Sequence, residues 1–229
     1  MPPRAGPAPE LVAHRRDGGA LGGGGSGGAG LPASCVRPAG AVSGRPTDAE
    51  VSDRALVLYA LIRRASIEAV LEEGPDTRRL AQAERAKVET DRWLVRESLD
   101  GALTPIERAL FDGANGSWPH EAIADGLWRK ESLGVLLWAL EHVDSLPPID
   151  EEFEVEVLNQ RIQSYGTESS FRVNGRLRGD AELEAAWHEA DAWLAATEGR
   201  AGEDATLASI SAERRRALSW LRDRDAEPA

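Results

Sequence analysis

The most hydrophobic stretch of the chain, residues 127–148, predicts a buried helix. When its residues are placed at intervals of about 100°, the apolar ones cover most of the circumference, which is typical of a helix surrounded by protein. Three of the exceptions fall together in one narrow polar stripe: Lys130, Gly134 and Glu141. We expect Ser117 to cap the start of this central helix. Pro147 and Pro148 are expected to end it, because proline has no amide hydrogen to donate.

A second strongly apolar helix is predicted from Thr47 to about Glu73. Thr47 and Glu50 have the spacing of a capping box, in which each side chain accepts a hydrogen bond from the backbone of the other. Gly74 and the proline after it are expected to break the helix. Apolar residues cover most of its surface, so we expect it to pack against the central helix and to form the core of the domain with it.

Two shorter patterns flank the central helix. Residues 77–100 predict a long, polar surface helix, and a short helix is predicted from Thr104, whose spacing to Glu107 again fits a capping box, to near Phe111. On the other side, residues 150–157 alternate acidic and apolar side chains, as an edge strand would. We favour a helix over 151–164, because an isolated strand has no sheet to join.

The last third of the chain predicts two more helices, over residues 180–197 and 207–222, joined by a loop at 199–204. Before them, Asn174 and Gly175 lie between two short apolar runs, which favours a small β-hairpin or an irregular loop over 170–178.

These elements predict an all-α fold, with a single compact multi-helix domain over residues 47–225. Residues 1–46 hold 12 of the 23 glycines and 7 of the 13 prolines and include the run LGGGGSGGAG. Such a segment cannot bury enough apolar surface to offset the entropy lost on ordering, so we expect a disordered tail. Residues 226–229 are expected to be a disordered C-terminus.

Five polar residues fall among apolar neighbours on the two core helices: Arg54, Glu68, Arg129, Glu131 and His142. A buried charge without a partner costs several kcal/mol, so we expect the charged ones to pair between helices. Glu131 should pair with an arginine of the first helix, Arg64 if the helices are antiparallel and Arg54 if they are parallel. His142 is expected to cap the helix end or to interact with its dipole. Alternatively, the five residues line a buried cleft.

Short motifs also occur in a defined order along the chain. They read RAL at 54–56, LTPIE at 103–107, WR at 128–129, LWAL at 137–140, LP at 146–147 and ERRRALSWL at 213–221. Together they resemble the signature of a bacterial family, domain of unknown function 4272, over about residues 47–223. The resemblance implies a compact α-helical fold and supplies no activity. The family pattern continues after its last helix with a Trp-Asp segment and a threonine, whereas this chain reads RDRDAEPA after Leu221.

Charge and cysteine content indicate which partners and which cellular location to expect. The chain carries a formal net charge of −12, with +3 on residues 1–46 and therefore −15 on the remainder. An acidic domain is repelled by phosphate backbones, so we expect no nucleic-acid partner, and a protein partner with a basic surface fits better. Cys35 is the single cysteine, and no membrane span or signal pattern is present, so the expected location is the cytoplasm.

The sequence offers little catalytic chemistry. It contains no GxSxG, GxGxxG, P-loop or CxxC motif, and its histidines lack metal-ligand spacing, so we expect no cofactor and no metal. The arginines at 214–216 spread over about 200° of a helix, which favours a solvated surface with room for one buried ion pair. Trp118, in a turn, is the candidate for an exposed anchor.

Two functions are compatible with these features. The first is a non-catalytic protein-binding or regulatory module, such as an immunity-type or adaptor protein, supported by the acidity and the helical scaffold. The alternative is an enzyme or a small-ligand sensor that uses a buried Arg/Glu/His cleft between the core helices.

Overall fold

The computed structural model describes residues 44–74, 76–197 and 205–229. Over this part of the chain the fold is all-α. The helices are α1 (Asp48–Glu72), α2 (Thr77–Arg96), α3 (Pro105–Asp112), α4 (His120–Ala139), α5 (Val155–Gln163), α6 (Glu168–Asn174), α7 (Asp180–Thr197) and α8 (Ala205–Arg222), with a short 3₁₀ helix (Leu99–Ala102) before α3. None of these helices is long and apolar enough to cross a membrane.

The core is built on an antiparallel pair of helices, α1 and α4. His120, at the start of α4, contacts Glu72, the last residue of α1. Closer to the core, a Cβ placed on Gly126 would lie 2.7 Å from the Cβ of Ala65. The absence of a side chain at Gly126 therefore lets the two helices approach closely. α8 packs against α4, α7 packs against α8, and α2 covers α1.

The predicted helix starts at α1 and α3 are confirmed. Thr47 Oγ1 accepts from the amide of Glu50, whose carboxylate accepts from the amide of Thr47. Thr104 and Glu107 repeat the arrangement. Both capping boxes depend on residues three positions apart, so local sequence is enough to define them.

The boundaries of the central helix differ from the prediction. Pro119 is the N-cap residue of α4, and the Ser117 hydroxyl instead donates to the carbonyl oxygen of Ala114. The helix ends at Ala139, well before the proline pair. The amides of Glu141 and His142 donate to the carbonyls of Trp138 and Leu137, and Glu141 has a φ of 61°. This is a Schellman motif, which satisfies two carbonyls of the last turn and stops the helix without proline.

The hairpin prediction for residues 170–178 is wrong. Residues 168–174 form α6, and the chain then runs in an extended conformation past the end of α4. The amides of Arg176 and Arg178 donate to the carbonyl oxygens of Leu140 and Ala139. A hairpin would satisfy backbone groups within the segment, whereas here the free carbonyls of α4 provide the partners. The helix favoured over a strand at 151–164 is present, but it begins only at Val155.

The two chain ends extend the folded region beyond the predicted limits. The predicted tail lies mostly outside the described residues, but Pro46 is buried and the carbonyl of Gly44 accepts from the amide of Arg224. At the other end, where we expected disorder over 226–229, Ala229 is buried and bonded to Arg54. The loop predicted at 199–204 lies outside the described residues.

Candidate functional site

Glu131 of α4 forms an interhelical ion pair, as expected, but with an arginine that was not expected. Its Oε2 lies 2.9 Å from Nε of Arg214 on α8, and both side chains are buried. Its Oε1 accepts from the backbone amide of Phe153 at 2.8 Å. Burial raises the pKa of Glu131 above its usual range, against the pull of the Arg214 charge. Of the three arginines at 214–216, Arg214 alone is buried, in agreement with the prediction that this part of the helix has room for one buried ion pair.

Arg214 also holds the loop between α4 and α5. Its two terminal nitrogens donate to the carbonyl oxygens of Pro147, Pro148 and Glu151, at 2.9, 3.2 and 2.6 Å. Its guanidinium lies 5.2 Å from the centre of the Phe153 ring. All five donors of a guanidinium are directional, so one arginine can fix several points of a loop at once.

Phe153 covers the part of α4 that was predicted to be polar. Its ring lies directly over Gly134, where a Cβ would come within 2.3 Å of Phe153 Cδ2. Gly134 is therefore buried, and the Phe153 ring packs against its backbone. The predicted polar stripe is not a solvent-facing stripe along its whole length.

Arg54 of α1 pairs with Glu107 of α3 in a two-pronged geometry. Nη1 and Nη2 donate to Oε2 and Oε1 at 2.7 and 2.6 Å, and both side chains are buried. Although burial acts to raise it, the hydrogen bonds and charge of Arg54 hold the pKa of Glu107 below its usual range. The remaining edge of Arg54 faces Ala229, whose carbonyl oxygen accepts from Nε at 2.6 Å and also from Nη2.

Arg129 pairs with Glu213 of α8, with Nη1 3.4 Å from Oε2. The same Glu213 oxygen accepts from the Ser132 hydroxyl at 2.8 Å, and its other oxygen pairs with Arg216. Burial lowers the pKa of the Arg129 guanidinium, the Glu213 charge raises it, and the Arg216 and Arg54 charges lower it. One carboxylate is thus shared between two arginines.

Glu68 pairs within its own helix and positions Trp118. Its Oε1 lies 2.6 Å from Nη2 of Arg64, and its Oε2 accepts from the amide of Trp118 at 3.3 Å. The prediction that Trp118 is an exposed anchor is wrong, because the side chain is only 6% exposed. Its indole N–H donates to the carbonyl of Leu110 at 2.9 Å, and the Arg64 guanidinium lies 5.8 Å from its ring centre. The turn around Trp118 is covered by α1 and α3, which local sequence does not reveal.

His142 lies in an aromatic cluster at the end of α4. Its ring centre is 4.4 Å from that of Phe171, and Nδ1 is 2.6 Å from the Tyr165 hydroxyl oxygen. Burial, reinforced by the charge of Arg161, lowers the pKa of His142 to about 4, although a backbone hydrogen bond at Phe171 opposes the shift. The imidazole is therefore neutral at pH 7. The backbone amide of His142 takes part in the helix cap, whereas its side chain does not act as a cation on the helix dipole.

The five candidate residues do not line one cleft. Arg54 and Arg129 share a cavity of about 480 Å³, but Glu68, Glu131 and His142 are not among its lining residues. Their polar atoms instead face separate partners on α1, on α8 and in the aromatic cluster. Within the described residues, no three His, Cys, Asp or Glu side chains form a group that could hold a metal ion.

Comparison with known protein families gives one result. The family described as Domain of unknown function (DUF4272) matches residues 34–227, which is nearly the whole folded region. The chain belongs to the DUF4272 family. No curated protein and no solved structure matched this chain.

Membership of the DUF4272 family agrees with the ordered motifs, and the structure shows what several of those motifs do. Glu107 of the LTPIE motif caps α3 and binds Arg54 of the RAL motif. Glu213 and Arg214 of the last motif bind Arg129 and Glu131. The sequence does not identify Glu107, Glu213 and Arg214 as the partners of these charges. The capping box at Glu107 and the arginines at 214–216 do indicate that these positions have structural roles.

Proposed function

We propose that this DUF4272 protein is a non-catalytic, cytoplasmic binding module that presents a rigid acidic loop to a protein with a basic surface. The acidic loop is defined as residues 144–156, which run from the segment after α4 into the first two residues of α5. The observation that supports the proposal is the set of bonds from buried Arg214 to the carbonyls of Pro147, Pro148 and Glu151. These hydrogen bonds fix the backbone of the loop from the interior side, while its acidic side chains are exposed to solvent.

The acidic loop carries unneutralised charge. Six carboxylates are exposed along it: Asp144, Asp150, Glu151, Glu152, Glu154 and Glu156. Glu152 pairs with Lys130, and within the described residues the other five form no ion pair. A row of outward carboxylates on a chain of net charge −12 steers basic partners toward this face and repels acidic ones.

The rigidity of the acidic loop favours binding. A loop that must be ordered on association loses conformational entropy, about 0.5–1.5 kcal/mol for each immobilised side chain. Here Phe153 fills the space over Gly134 and its amide is bonded to Glu131, so the backbone is ordered before a partner arrives. Val157, 52% exposed beside the carboxylates, adds an apolar contact at the edge of the surface.

The buried charges support a structural role over a catalytic one. The carboxylates of Glu68, Glu131 and Glu213 are each engaged by an arginine inside the protein. A catalytic acid or base must reach a substrate, whereas these groups face protein atoms. We therefore assign them to holding the scaffold and assign recognition to the acidic loop.

Charge reversal tests the proposal. In the loop variant, Asp144, Asp150 and Glu151 are each replaced by lysine; all three precede α5, so the helix dipole is not disturbed. In the matched control, three exposed acidic residues outside the acidic loop are replaced in the same way: Glu73 at the end of α1, and Glu84 and Glu89 of α2. Partners are captured from the native host with each protein, identified, purified and titrated by calorimetry.

The proposal predicts that a purified basic partner binds the wild type and the control variant with affinities within about threefold, and the loop variant at least about tenfold more weakly. Its affinity for the wild type should fall as salt rises from about 0.05 to 0.5 M. Equal weakening in the two variants would show that only net charge matters. A partner that binds the loop variant as tightly as the wild type would overturn the proposal.

A further inference from the structure

A small cavity lies where α1, the end of α2 and the turn between α5 and α6 meet. It has a volume of about 300 Å³, at the lower end of the range of small-ligand sites. We call it the Trp93 cavity and define it by six of its lining residues: Tyr59, Arg63, Trp93, Ile162, Gln163 and Glu168. Its lining thus combines an aromatic wall with one cation and one anion.

The aromatic wall is held in place by packing and by hydrogen bonds. The ring centres of Tyr59 and Trp93 are 5.9 Å apart at an angle of 73°, an edge-to-face arrangement that aromatic pairs favour. The Tyr59 hydroxyl accepts from the side-chain amide of Gln163 at 3.3 Å, and the Trp93 indole N–H donates to Oε1 of Glu168. Both rings are therefore positioned before a ligand arrives, so binding does not carry the cost of ordering them.

Arg63 places a positive charge beside this wall. Its side chain is exposed, and its guanidinium lies 5.6 Å from the centre of the Tyr59 ring. Within the described residues Arg63 forms no ion pair, although the chain carries a net charge of −12. A guanidinium that stacks on an aromatic ring keeps its edge donors, and two of them match the two oxygens of a carboxylate.

Glu168 places a negative charge beside Trp93. Its contacts with Trp93 and Arg96 both involve Oε1, and Nη2 of Arg96 is 3.8 Å from that oxygen. A carboxylate has about four lone-pair sites, so Glu168 can accept further hydrogen bonds from an ammonium group. Arg63 and Glu168 line the same cavity and do not pair with each other. The two charges are therefore available to a ligand that carries both signs.

A zwitterion with an aromatic body fits this arrangement better than a ligand of one charge. A cation alone would be attracted by Glu168 and repelled by Arg63, and the reverse holds for an anion. An α-amino acid carries a carboxylate and an ammonium group on one carbon, and a molecule of this size suits a cavity of about 300 Å³. Tyr59, Trp93 and Ile162 provide the contact surface for an aromatic side chain.

We propose that the Trp93 cavity binds a free α-amino acid with an aromatic side chain. Arg63 binds the carboxylate of the ligand, and Glu168 binds its ammonium group. The side chain of the ligand packs on the rings of Tyr59 and Trp93. The cavity shares no lining residue with the acidic loop, so this site does not depend on the function proposed for that loop.

L-Phenylalanine is the probe for this site. Calorimetry measures its binding to the full chain, and we expect a dissociation constant of about 1 mM or lower. In ¹⁵N–¹H spectra the indole signal of Trp93, identified by its loss in Trp93→Phe, should shift on binding. The indole signal of Trp187, which donates to Ser219 outside the cavity, should stay in place.

Two charge-removing variants test the two contacts. Arg63→Gln and Glu168→Gln should each weaken the binding of L-phenylalanine at least about tenfold. Glutamine at position 168 keeps an oxygen that can accept from the Trp93 indole, so the wall stays in place. The matched control is Arg78→Gln, which removes another exposed arginine, at the start of α2, and should change the affinity less than about twofold.

Two analogues test the same contacts on the wild-type protein, without any substitution. Hydrocinnamate lacks the ammonium group and phenethylamine lacks the carboxylate, and each should bind at least about tenfold more weakly than L-phenylalanine. Glu168→Gln should reduce the preference for L-phenylalanine over hydrocinnamate. Arg63→Gln should reduce the preference over phenethylamine.

Circular dichroism establishes that each variant is folded. Binding of hydrocinnamate or phenethylamine to the wild type as tightly as L-phenylalanine would overturn the proposal. Absence of L-phenylalanine binding at about 10 mM would overturn it too. The same conclusion would follow if the folded variants at Arg63 and Glu168 kept the wild-type affinity.

Discussion

Arg214 and Glu131 lie 83 positions apart in sequence, yet Nε of the arginine is 2.9 Å from Oε2 of the glutamate in the buried interior. The pair joins α8 to α4, and the remaining donors of Arg214 hold the loop that leads to α5. Removal of one member would leave the other charged and buried, which costs more than the pair itself contributes. The stability of the core and the shape of the acidic loop therefore depend on the same contact.

Gly134→Ala should destabilise the protein. Alanine is favoured over glycine inside a helix by about 1 kcal/mol, so helix propensity alone predicts stabilisation. The new methyl group would overlap the ring of Phe153, however, with contacts of 2.3 to 2.5 Å. Overpacking of this kind costs about 1–3 kcal/mol, so after the gain in helix propensity we expect a net loss of up to about 2 kcal/mol in urea unfolding.

Gly101→Ala is the matched control for this substitution. A Cβ at Gly101 meets no atom within 4 Å, so its replacement should leave the free energy of unfolding unchanged or raise it by up to about 1 kcal/mol. Stabilisation by Gly134→Ala would mean that Phe153 does not lie on α4.

Trp138→Ala should cost about 3–5 kcal/mol in the free energy of unfolding, because it leaves a large cavity in the hydrophobic core. The indole is 8% exposed, as the helical pattern predicts for a core residue. The centre of one of its rings lies 5.0 Å from the guanidinium of Arg178. Trp193→Ala, at a position 39% exposed, serves as the comparison and should cost far less. A loss below about 1 kcal/mol for Trp138→Ala would contradict its place in the core.

Local patterns were sufficient for the parts of the fold that depend on near neighbours. The capping boxes at Thr47 and Thr104 and the apolar surface of α1 could be predicted because each depends on residues a few positions apart. The end of α4 could not, because the amides of Glu141 and His142 satisfy only two of its carbonyls, and those of Leu140 and Ala139 accept from Arg176 and Arg178, more than 35 residues later. The hairpin prediction failed for the same reason.

The candidate site shows the same division. The need of Glu131 for a buried arginine follows from the cost of an unpaired charge, so the existence of the pair was predictable. The identity of the partner was not, since α8 is brought beside α4 by the packing of the whole domain. Trp118 shows the opposite error. Its place in a turn predicts exposure, whereas Glu68 accepts from its amide and the carbonyl of Leu110 accepts from its indole N–H.

Glu141→Gly should stabilise the protein by about 0.5–1 kcal/mol. Glu141 has a φ of 61°, in the left-handed region, where a side chain with a Cβ is strained by about 1–2 kcal/mol. Glycine removes that strain, and part of the gain is lost because glycine makes the unfolded chain more flexible. The midpoint of thermal unfolding measures the effect, and a decrease would mean that the Schellman motif at the end of α4 is absent.

Acid should destabilise the protein through His142. The pKa of this histidine is about 4 in the folded state, against 6.5 for the ordinary side chain, because of burial. The unfolded chain therefore takes up the proton first, so stability is complete above about pH 6.5 and falls as the pH drops toward 4. The contribution lost over this window is about 2–3 kcal/mol.

His142→Phe isolates that contribution. The wild type should lose about 2–3 kcal/mol more than the variant between pH 6.5 and 4 in urea unfolding, because the phenyl ring has no group to protonate. The carboxyl groups are the same in both proteins, so their contribution to the pH dependence of stability cancels in the comparison. Parallel curves for the two proteins would show that the imidazole is accessible to protons in the folded state.

The buried pair of Glu131 and Arg214 is tested most directly by Glu131→Gln, measured by urea unfolding at pH 7. Glutamine keeps the shape and can still accept from the amide of Phe153, but it leaves the guanidinium of Arg214 without its counter-charge. We predict a loss of about 3–5 kcal/mol in the free energy of unfolding. Replacing Arg214 by methionine as well should restore only part of this loss, because the carbonyls of Pro147 and Glu151 then lack their donor. An unfolding curve for Glu131→Gln that superimposes on that of the wild type would contradict the claim that this pair holds α8 and the acidic loop in place.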